Sequence, residues 1–378
     1  MSAEAVGGRT TRAAMADGRP CAPSTYPAAH LYSKDGLVTG CEALYVSARK
    51  CWKGVGRKYS AQAYMLDRIR KTVELAQDLE SGRYREGPVR KVSITYPKPR
   101  TALSITFRDR VYQRSLNDNA LYPQMVRGFV WHNCACQKGK GTQAALDAFK
   151  AMLHRAWIRY GKTNDFYILS GDVRKYYDSM SHATTEDLVE KRCDAETAAR
   201  VRTTLRNQYR GDTGYNPGSQ MAQIAGISYL DPFDHFVKET LRRKMYVRYM
   251  DDWHVIGRDE AELKEVKARC AENLATLGMA LHPDKTRIRS AKDGIVFLGF
   301  KFRVAADGRV MVLRDPKRVK EIRRRFRRLA KVVRRGDATW EDFDTSLGCV
   351  LACMRKGNSE RLLRNIMDFA NKIKKEAA

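Results

Sequence analysis

Apolar residues recur along the chain at the three- and four-residue spacing that is typical of amphipathic helices. Residues 60–80 show this spacing and predict one helix, which Ser81 and Gly82 would end. A second long helix is predicted to begin at the glycine-rich run from Lys138 to Thr142. The apolar faces predicted for these two helices and for two later ones are Leu66, Ile69, Val73, Ala76 and Leu79; Leu146, Phe149, Leu153 and Trp157; Ile224, Ile227, Leu230 and Leu241; and Leu263, Val266, Cys270, Leu274 and Leu277.

Other segments show the alternating or short continuous apolar pattern of strands. Residues 90–110 predict two basic strands that are separated at Pro97 and Pro99, so we expect a positively charged flap. From residue 165 the pattern becomes strand, helix, hairpin, helix and strand. The later predicted strands are residues 166–169, which lead into Gly171 and Asp172; residues 247–256, which Asp251 and Asp252 interrupt; and residues 296–300.

The charge balance favours a polyanionic partner. The chain has 378 residues with 71 Lys and Arg against 43 Asp and Glu, a formal net charge of +28. Positive fields of this size usually meet nucleic acid or an anionic membrane face. No stretch approaches the roughly 20 apolar residues that span a bilayer, so we expect no membrane insertion.

The N-terminal residues and the cysteines favour a cytoplasmic location. Residues 1–35 lack the apolar core of a signal peptide, and we predict a disordered tail there. The nine cysteines include no CxxC pair and favour reduced thiols. His132, Cys134 and Cys136 lie close together, but no second ligand pair follows at zinc-site spacing. Small buried thiols in a loop or strand are the simpler interpretation.

Three aspartates are the strongest candidates for catalysis. Asp251 and Asp252 interrupt a strand-like run, where like charges repel and Asp is a poor strand former, although an ordinary Asp-rich turn would also explain the pair. A separate apolar strand delivers Asp172 at its end. Two-metal phosphoryl transfer needs carboxylates from separate strands, because they hold two cations about 3.5–4 Å apart. The pattern therefore predicts a Mg²⁺ site, in which Mn²⁺ can substitute.

In the order of its motifs, the sequence resembles the reverse transcriptase family over roughly residues 40–370. Five ordered motifs are more specific than any one of them. Within the family the chain is most similar to the enzymes of diversity-generating retroelements and of antiviral, abortive-infection-type systems. The resembling segments are Asp172 with Tyr177 (motif A), residues 216–220 with Gln223 (motif B), 249–252 (motif C), 278–286 (motif D), 296–300 (motif E), and 98–100 with 108–110 (fingers).

The resemblance implies an α+β right-hand polymerase fold. Residues 36–164 would form N-terminal helices and the fingers, residues 165–310 the palm with an antiparallel sheet, and residues 311–378 a basic helical thumb. It also implies an RNA-directed DNA polymerase that uses dNTPs and a DNA primer. The template would be a dedicated, structured non-coding RNA, in antiviral defence or in a diversity-generating retroelement. We expect no endonuclease in the chain and an accessory protein encoded nearby.

The resemblance assigns roles to residues around the incoming nucleotide. Tyr177 would be the steric gate that excludes a 2′-hydroxyl; Lys98 and Arg100 would bind the triphosphate, and Lys285 would protonate or neutralise the pyrophosphate. The alternatives are a core aromatic at Tyr177, a solvated charge at Lys98 and a polar turn around Lys285. The implied metal ligands are Asp172, Asp251, Asp252 and the main chain of Val173.

Motif B and the C-terminal helix add two expectations. Pro217 stands before Gly218 where many family members have Gln, so a contact beside the templating pair would be lost and fidelity reduced, whereas Gln223 would still face the substrate. Residues 314–335 contain twelve Lys or Arg against two acids, with Ile322, Phe326, Leu329 and Val333 on the buried face. Such a run is usually a solvated face, but in the thumb it would contact nucleic-acid phosphates. The residues assigned to this contact are Arg323, Arg324, Arg327 and Arg328.

Several alternatives share some of these features. The same fold could make DNA without a template or from a protein primer, or could be an RNA polymerase, against which Tyr177 argues. A non-enzymatic RNA-binding module has no need for three clustered carboxylates. A group II intron-like reverse transcriptase without an endonuclease is a further possibility.

Overall fold

The computed structural model describes residues 34–94, 99–216 and 218–376. The chain divides into two compact units. One comprises the residues up to Arg85 with Phe107–Ser115, and the other comprises Glu86–Thr106 with the chain from Leu116 onward. Almost all of the predicted tail at residues 1–35 lies outside the described residues, as do Lys98 and Pro217, and only the main chain of Arg100 is described.

The first unit is helical, and it corrects the predicted helix at residues 60–80. That segment forms two helices, because the chain leaves helical geometry at Asp67, whose carboxylate binds Arg70 in the following turn. The spacing therefore does not define one continuous face: Leu66 and Ile69 are 89% and 70% exposed. The helices of this unit are α1 (Lys34–Thr39), α2 (Cys41–Trp52), α3 (Tyr59–Leu66), α4 (Arg68–Glu80) and α5 (Phe107–Leu116), the last of which reaches one residue into the second unit.

The second unit contains three antiparallel sheets. The flap predicted within residues 90–110 is a hairpin of β1 (Arg90–Ile94) and β2 (Arg100–Ser104), and Phe107 begins a helix rather than ending a strand. The central sheet has the order β4-β5-β3-β6, and the third sheet has the order β7-β8-β9. Their strands are β3 (Tyr167–Asp172), β4 (Tyr246–Tyr249), β5 (Asp252–Gly257), β6 (Arg287–Ser290), β7 (Ile295–Phe297), β8 (Phe300–Val304) and β9 (Val310–Arg314).

Helices cover these sheets with the apolar faces that the sequence predicts. The helix after Thr142 buries Leu146, Phe149 and Leu153, and Phe149 stacks on His254 of the central sheet. The segment from Ile224 is not one helix, because Pro232 begins a new one. The helices are α6 (Tyr122–Met125), α7 (Thr142–Arg159), α8 (Tyr176–Ser179), α9 (His182–Arg192), α10 (Ala195–Gln208), α11 (Gln220–Tyr229), α12 (Asp231–His235) and α13 (Glu260–Thr276), with π-helical turns at Asn117–Leu121 and Phe236–Thr240 and 3₁₀ turns at Val126–Gly128 and Ala291–Asp293.

The C-terminal helices begin later than residue 311. Residues 310–314 form β9, which pairs with β8, because alternate side chains of this segment enter the core. Helices α14 (Pro316–Arg334), α15 (Trp340–Met354) and α16 (Glu360–Lys375) follow and form a separate core around Phe326, Phe343 and Ala370. No helix in the described ranges combines the length and the apolarity that crossing a bilayer requires.

Candidate active site

The central sheet brings the three predicted aspartates to one of its ends. Asp172 is the last residue of β3 and Asp252 is the first residue of β5, and the two are direct partners in the antiparallel register. Asp251 belongs to the turn that joins β4 to β5. The interrupted strand of the sequence is therefore a hairpin, and the carboxylates lie at its tip and on the neighbouring strand.

A glycine beside Asp172 allows the two strands to pack in this register. Gly171 is the cross-strand partner of Trp253, whose indole is fully buried. A Cβ atom on Gly171 would lie 2.1 Å from the Cζ2 atom of Trp253, which is far inside van der Waals contact. The missing side chain of Gly171 is thus filled by the indole, and any larger residue would displace the strand end that carries Asp172.

A fully buried ion pair supports the turn of the hairpin. Arg248 and Asp234 are both 0% exposed, with distances of 2.6 Å from Nε to Oδ1 and 2.5 Å from Nη2 to Oδ2. The Nη1 atom of Arg248 donates to the carbonyl of Met250 at 2.9 Å, and Met250 has a φ of 60°, in the left-handed region that non-glycine residues rarely adopt. Tyr246 donates a further hydrogen bond to Asp234. The pair therefore holds the residue that immediately precedes Asp251.

This ion pair was not predicted from the sequence. Arg248 lies in a run of strand-forming residues at a position where every neighbour on the chain is apolar or aromatic. A charged residue at such a position is the available signal, because buried charges require a partner. The identity of the partner, Asp234, comes only from the fold.

Lys285 lies against the aspartate of β3. Its ammonium is 2.8 Å from Oδ1 and 3.0 Å from Oδ2 of Asp172, so the residue is part of the cluster and not of a detached polar turn. Among the described residues, no Lys or Arg side chain forms an ion pair with Asp251 or Asp252. Burial and then the Asp172 carboxylate raise the pKa of Asp251, while burial and then the Asp251 and Asp172 carboxylates raise the pKa of Asp252 to about 8. The three carboxyl groups at this end of the sheet thus carry more potential negative charge than the single ammonium of Lys285 can balance.

This imbalance is what a divalent cation would relieve. No three His, Cys, Asp or Glu side chains of the described residues converge tightly enough to enclose a metal ion. The donor set nevertheless fits a hard cation, since it offers carboxylate oxygens with uncompensated charge. Val173 and Leu281 form an isolated antiparallel bridge. The carbonyls of Asp172 and Ala280 accept its two hydrogen bonds, so the carbonyl of Val173 takes no part in the bridge.

His254 lies beneath the cluster and was not predicted from the sequence. It is buried, its Nδ1 atom is 2.9 Å from the hydroxyl of Ser170, and its Nε2 atom is 3.5 Å from Oδ1 of Asp252. Burial lowers the pKa of His254 to about 3, so the imidazole is neutral and the contact with Asp252 is not an ion pair. Its role is to fill the space between the sheet and Phe149.

Tyr177 lies beside the helix that carries motif B. A Cβ atom on Gly226 of α11 would be 2.8 Å from the Tyr177 hydroxyl and 3.1 Å from Cζ of its ring, so the glycine provides the space for the phenol. The adjacent Tyr176 is buried and donates to the carbonyl of Gly226. Burial, followed by Cys136 and Asp251, raises the pKa of Tyr177. The phenol is half-buried, a position compatible both with a gate and with a core aromatic.

The motif B loop packs on the flap. Gly218 has a φ of 147°, and a Cβ there would be 2.8 Å from the carbonyl oxygen of Leu103 in β2. The side-chain amide of Asn216 donates to the carbonyl of Thr101 at 3.1 Å. Gln223 is exposed on a helix whose following residues, Ile224 to Tyr229, are all buried. Glycine at 218 is therefore required by this close approach, and Gln223 is accessible.

The four arginines assigned to the thumb divide into two pairs. The guanidinium carbons of Arg323 and Arg327 lie 5.6 Å and 5.4 Å from the centroid of the Phe369 ring, so both contribute to packing between α14 and α16. Arg324 and Arg328 are exposed. Of the four predicted contact residues, this second pair is free of such packing.

The family of the chain is shown by its similarity to known proteins. A family model described as reverse transcriptase (RNA-dependent DNA polymerase) matches residues 97–302, more than half of the chain. The protein YkfC of Escherichia coli (strain K12) is 23% identical over 272 residues, which are 60% of this chain and 70% of that protein. A structure of telomerase from Candida albicans in complex with a fragment of telomeric RNA has 12% sequence identity and a TM-score of 0.46, and the match covers 68% of this chain and 55% of that chain.

Proposed function

The chain belongs to the reverse transcriptase family, and we propose that it copies a dedicated, structured non-coding RNA into DNA by two-metal phosphoryl transfer. The observation that carries the proposal is the meeting of Asp172, Asp251 and Asp252 at one end of the central sheet, with Lys285 as the adjacent cation. A binding module would gain nothing from this arrangement, because clustered carboxylates repel nucleic-acid phosphates unless cations intervene.

The aspartates would hold two Mg²⁺ or Mn²⁺ ions, together with the main-chain carbonyl of Val173. When bound, these ions activate the primer 3′-oxygen and stabilise the leaving pyrophosphate. Lys285 would supply a proton or positive charge to the pyrophosphate, a role that the contact of its ammonium with the Asp172 carboxylate supports. Tyr177 would exclude ribonucleotides by filling the space of the 2′-hydroxyl.

The flap and the thumb would bind the remaining parts of the substrate. Lys98 and Arg100 would bind the triphosphate, because ammonium and guanidinium groups pair with phosphate oxygens. Gly218 and Gln223 would border the new base pair. Arg324 and Arg328 would bind phosphates of the RNA·DNA hybrid, an assignment that their exposure supports. The net charge of +28 favours such backbone contacts over base reading.

Primer extension tests the catalytic proposal. With an RNA template, a DNA primer, dNTPs and Mg²⁺, we expect templated DNA whose sequence follows the RNA. Asp251→Asn should abolish extension without loss of folding, since it removes charge repulsion from the cluster. The matched control is Asp187→Asn, which changes an aspartate paired with Lys191 on the exposed face of α9. Full activity of Asp251→Asn, or equal products with and without template, would contradict the proposal.

The identity of the template is tested separately. Sequencing the RNA that copurifies with the protein should return one dominant structured transcript, encoded near its gene. A neighbouring pair of template and variable repeats would assign the protein to a diversity-generating retroelement, and a structured RNA gene among defence genes would assign it to antiviral immunity. Copurification of unrelated cellular RNAs in proportion to their abundance would contradict a dedicated template.

A further inference from the structure

A fixed and exposed tryptophan lies in the loop before α7, outside the residues assigned so far. Trp131 is 77% exposed, and the Lys140 ammonium lies 4.9 Å from the centroid of its ring. The same ammonium donates to the carbonyls of Trp131 at 2.9 Å and Asn133 at 3.2 Å. These hydrogen bonds connect the end of the loop to the segment that contains Trp131. The indole is therefore exposed to solvent on a loop whose conformation Lys140 stabilises.

Further cations surround the neighbouring residue. Burial, followed by the charges of Lys238, Arg155 and Lys140, lowers the pKa of His132 to about 4. Burial, followed by the charges of Arg155 and Lys244, also lowers the pKa of Lys238, whose ammonium donates to the carbonyl of Lys244 at 3.0 Å. Arg155 belongs to α7, Lys238 to the π-helical turn at Phe236–Thr240 and Lys244 to the turn before β4, so only the fold brings these cations together.

The acids nearest in sequence do not neutralise this group. Glu239 is 2.6 Å from Nδ1 of His235, and Asp234 is committed to the buried pair with Arg248. Among the described residues, Arg155, Lys238 and Lys244 form no ion pair with an acid. A group of neighbouring cations without acids is electrostatically unfavourable in the free protein, and an anionic ligand would relieve it.

We propose that Trp131, Lys140, Arg155, Lys238 and Lys244 form a binding surface for single-stranded nucleic acid. This proposal rests on the proposed function and deepens it, since it locates part of the contact with template or product outside the thumb. One base would stack on the Trp131 indole while adjacent phosphates contact the cations. Single strands fit such a surface because their bases have free faces and their backbones are flexible, whereas the bases of a duplex stack on each other.

Photo-crosslinking tests where the strand lies. A short oligonucleotide with 5-iodouridine at one position should crosslink to Trp131, as located by mass spectrometry of the digested protein. The double variant Arg155→Glu/Lys238→Glu should greatly reduce this crosslink, because it repels the phosphates while leaving the tryptophan in place. Lys150→Glu is the matched control, an exposed cation on the same helix α7. Equal crosslinking in both variants would show a merely reactive tryptophan and overturn the proposal.

Binding measurements test the stacking. Trp131→Ala should weaken single-strand binding about tenfold, as expected for the loss of one stacked base, and Trp131→Phe should restore most of the affinity. A duplex of equal length should be insensitive to both changes. An unchanged single-strand affinity in Trp131→Ala, or equal losses for the duplex, would overturn the proposal. Asp251→Asn should crosslink as the wild type does, because Asp251 is not part of this surface. If the wild-type protein crosslinks but makes no DNA, the proposed function is refuted and the binding surface is not.

Discussion

The buried pair of Arg248 and Asp234 gives the sharpest test of how the hairpin that carries Asp251 and Asp252 is supported. Asp234→Asn preserves the shape of the side chain and removes its charge, which leaves the guanidinium of Arg248 buried without compensation. Both side chains are 0% exposed, so solvent cannot take over the lost interaction. Removing one partner of a buried pair typically costs about 3–5 kcal/mol, and we expect this loss in the free energy of unfolding.

Urea denaturation followed by circular dichroism measures the effect. With a slope of about 2–3 kcal/mol/M, the predicted loss lowers the unfolding midpoint by roughly 1–2 M. The matched control is Glu260→Gln, which breaks an exposed pair with Lys264 at the start of α13. Exposed pairs contribute about 0–1 kcal/mol, so the midpoint of this control should remain close to that of the wild type.

A double variant separates the pair from the rest of the core. Arg248→Gln alone leaves the Asp234 carboxylate unpaired, whereas Asp234→Asn/Arg248→Gln removes both charges. The double variant should therefore lose less stability than the sum of the two single variants, with a coupling of about 0.5–3 kcal/mol. If the single variants add without coupling, or if Asp234→Asn shifts the midpoint no more than Glu260→Gln does, then the charge of Arg248 is balanced elsewhere and the reasoning is wrong.

Three further changes probe the site from different sides. Gly171→Ala should lose about 1–3 kcal/mol of stability and most of the extension activity, because the new methyl group collides with Trp253; wild-type melting and activity would show that the strands relax. Tyr177→Ala should admit ribonucleotides while Tyr177→Phe remains selective, and equal ratios of dNTP to rNTP incorporation in both would make the residue a core aromatic. Arg324→Gln/Arg328→Gln should flatten the log–log salt dependence of RNA binding by about 0.7–0.9 per lost phosphate contact, as filter binding across salt concentrations would measure, and an unchanged slope would leave α14 as a solvated face.

The α+β right-hand fold was predicted from the family resemblance, whereas the position of the three aspartates at strand ends was predicted from local pattern. A strand that ends in a carboxylate and a strand-like run broken by two aspartates are unusual enough to be recognised without knowing what packs around them. The apolar faces at Leu146–Leu153 and Leu263–Leu274 were also predicted correctly, since each lies on one unbroken helix.

The wrong predictions concern segments in which a helix ends or a strand forms although the pattern of apolar or basic residues continues. The spacing from Leu66 to Ile69 continues through Asp67, but the chain turns there and the two residues face solvent. At the C-terminus, the density of arginines suggested a helix from residue 311, whereas alternation of buried side chains makes 310–314 a strand. Periodicity shows which residues share a face only as long as the helix or strand continues.

The supports of the site were not predictable because they depend on pairs brought together by the fold. Gly171 has no special pattern until the register places Trp253 opposite it. Likewise Gly226 is one small residue in an apolar helix until the Tyr177 phenol lies against it. In both cases the glycine leaves space for a neighbouring aromatic ring. The sequence shows the glycine but does not show which ring occupies the space.

The distribution of charge gives a physical reason why an intensely basic chain would use metal ions at its proposed site. The net charge of +28 lies on surfaces such as α14, where it can attract nucleic acid over the whole molecule. At the end of the central sheet the balance is reversed. The Lys285 ammonium already binds Asp172, while burial and then nearby carboxylates raise the pKa of both Asp251 and Asp252. A phosphate drawn to the surface by lysine and arginine would be repelled at this point. Cations held by the aspartates would remove this repulsion where the proposed phosphoryl transfer needs positive charge. The basic surface would then attract the nucleic acid, and the acidic centre would bind the metal ions.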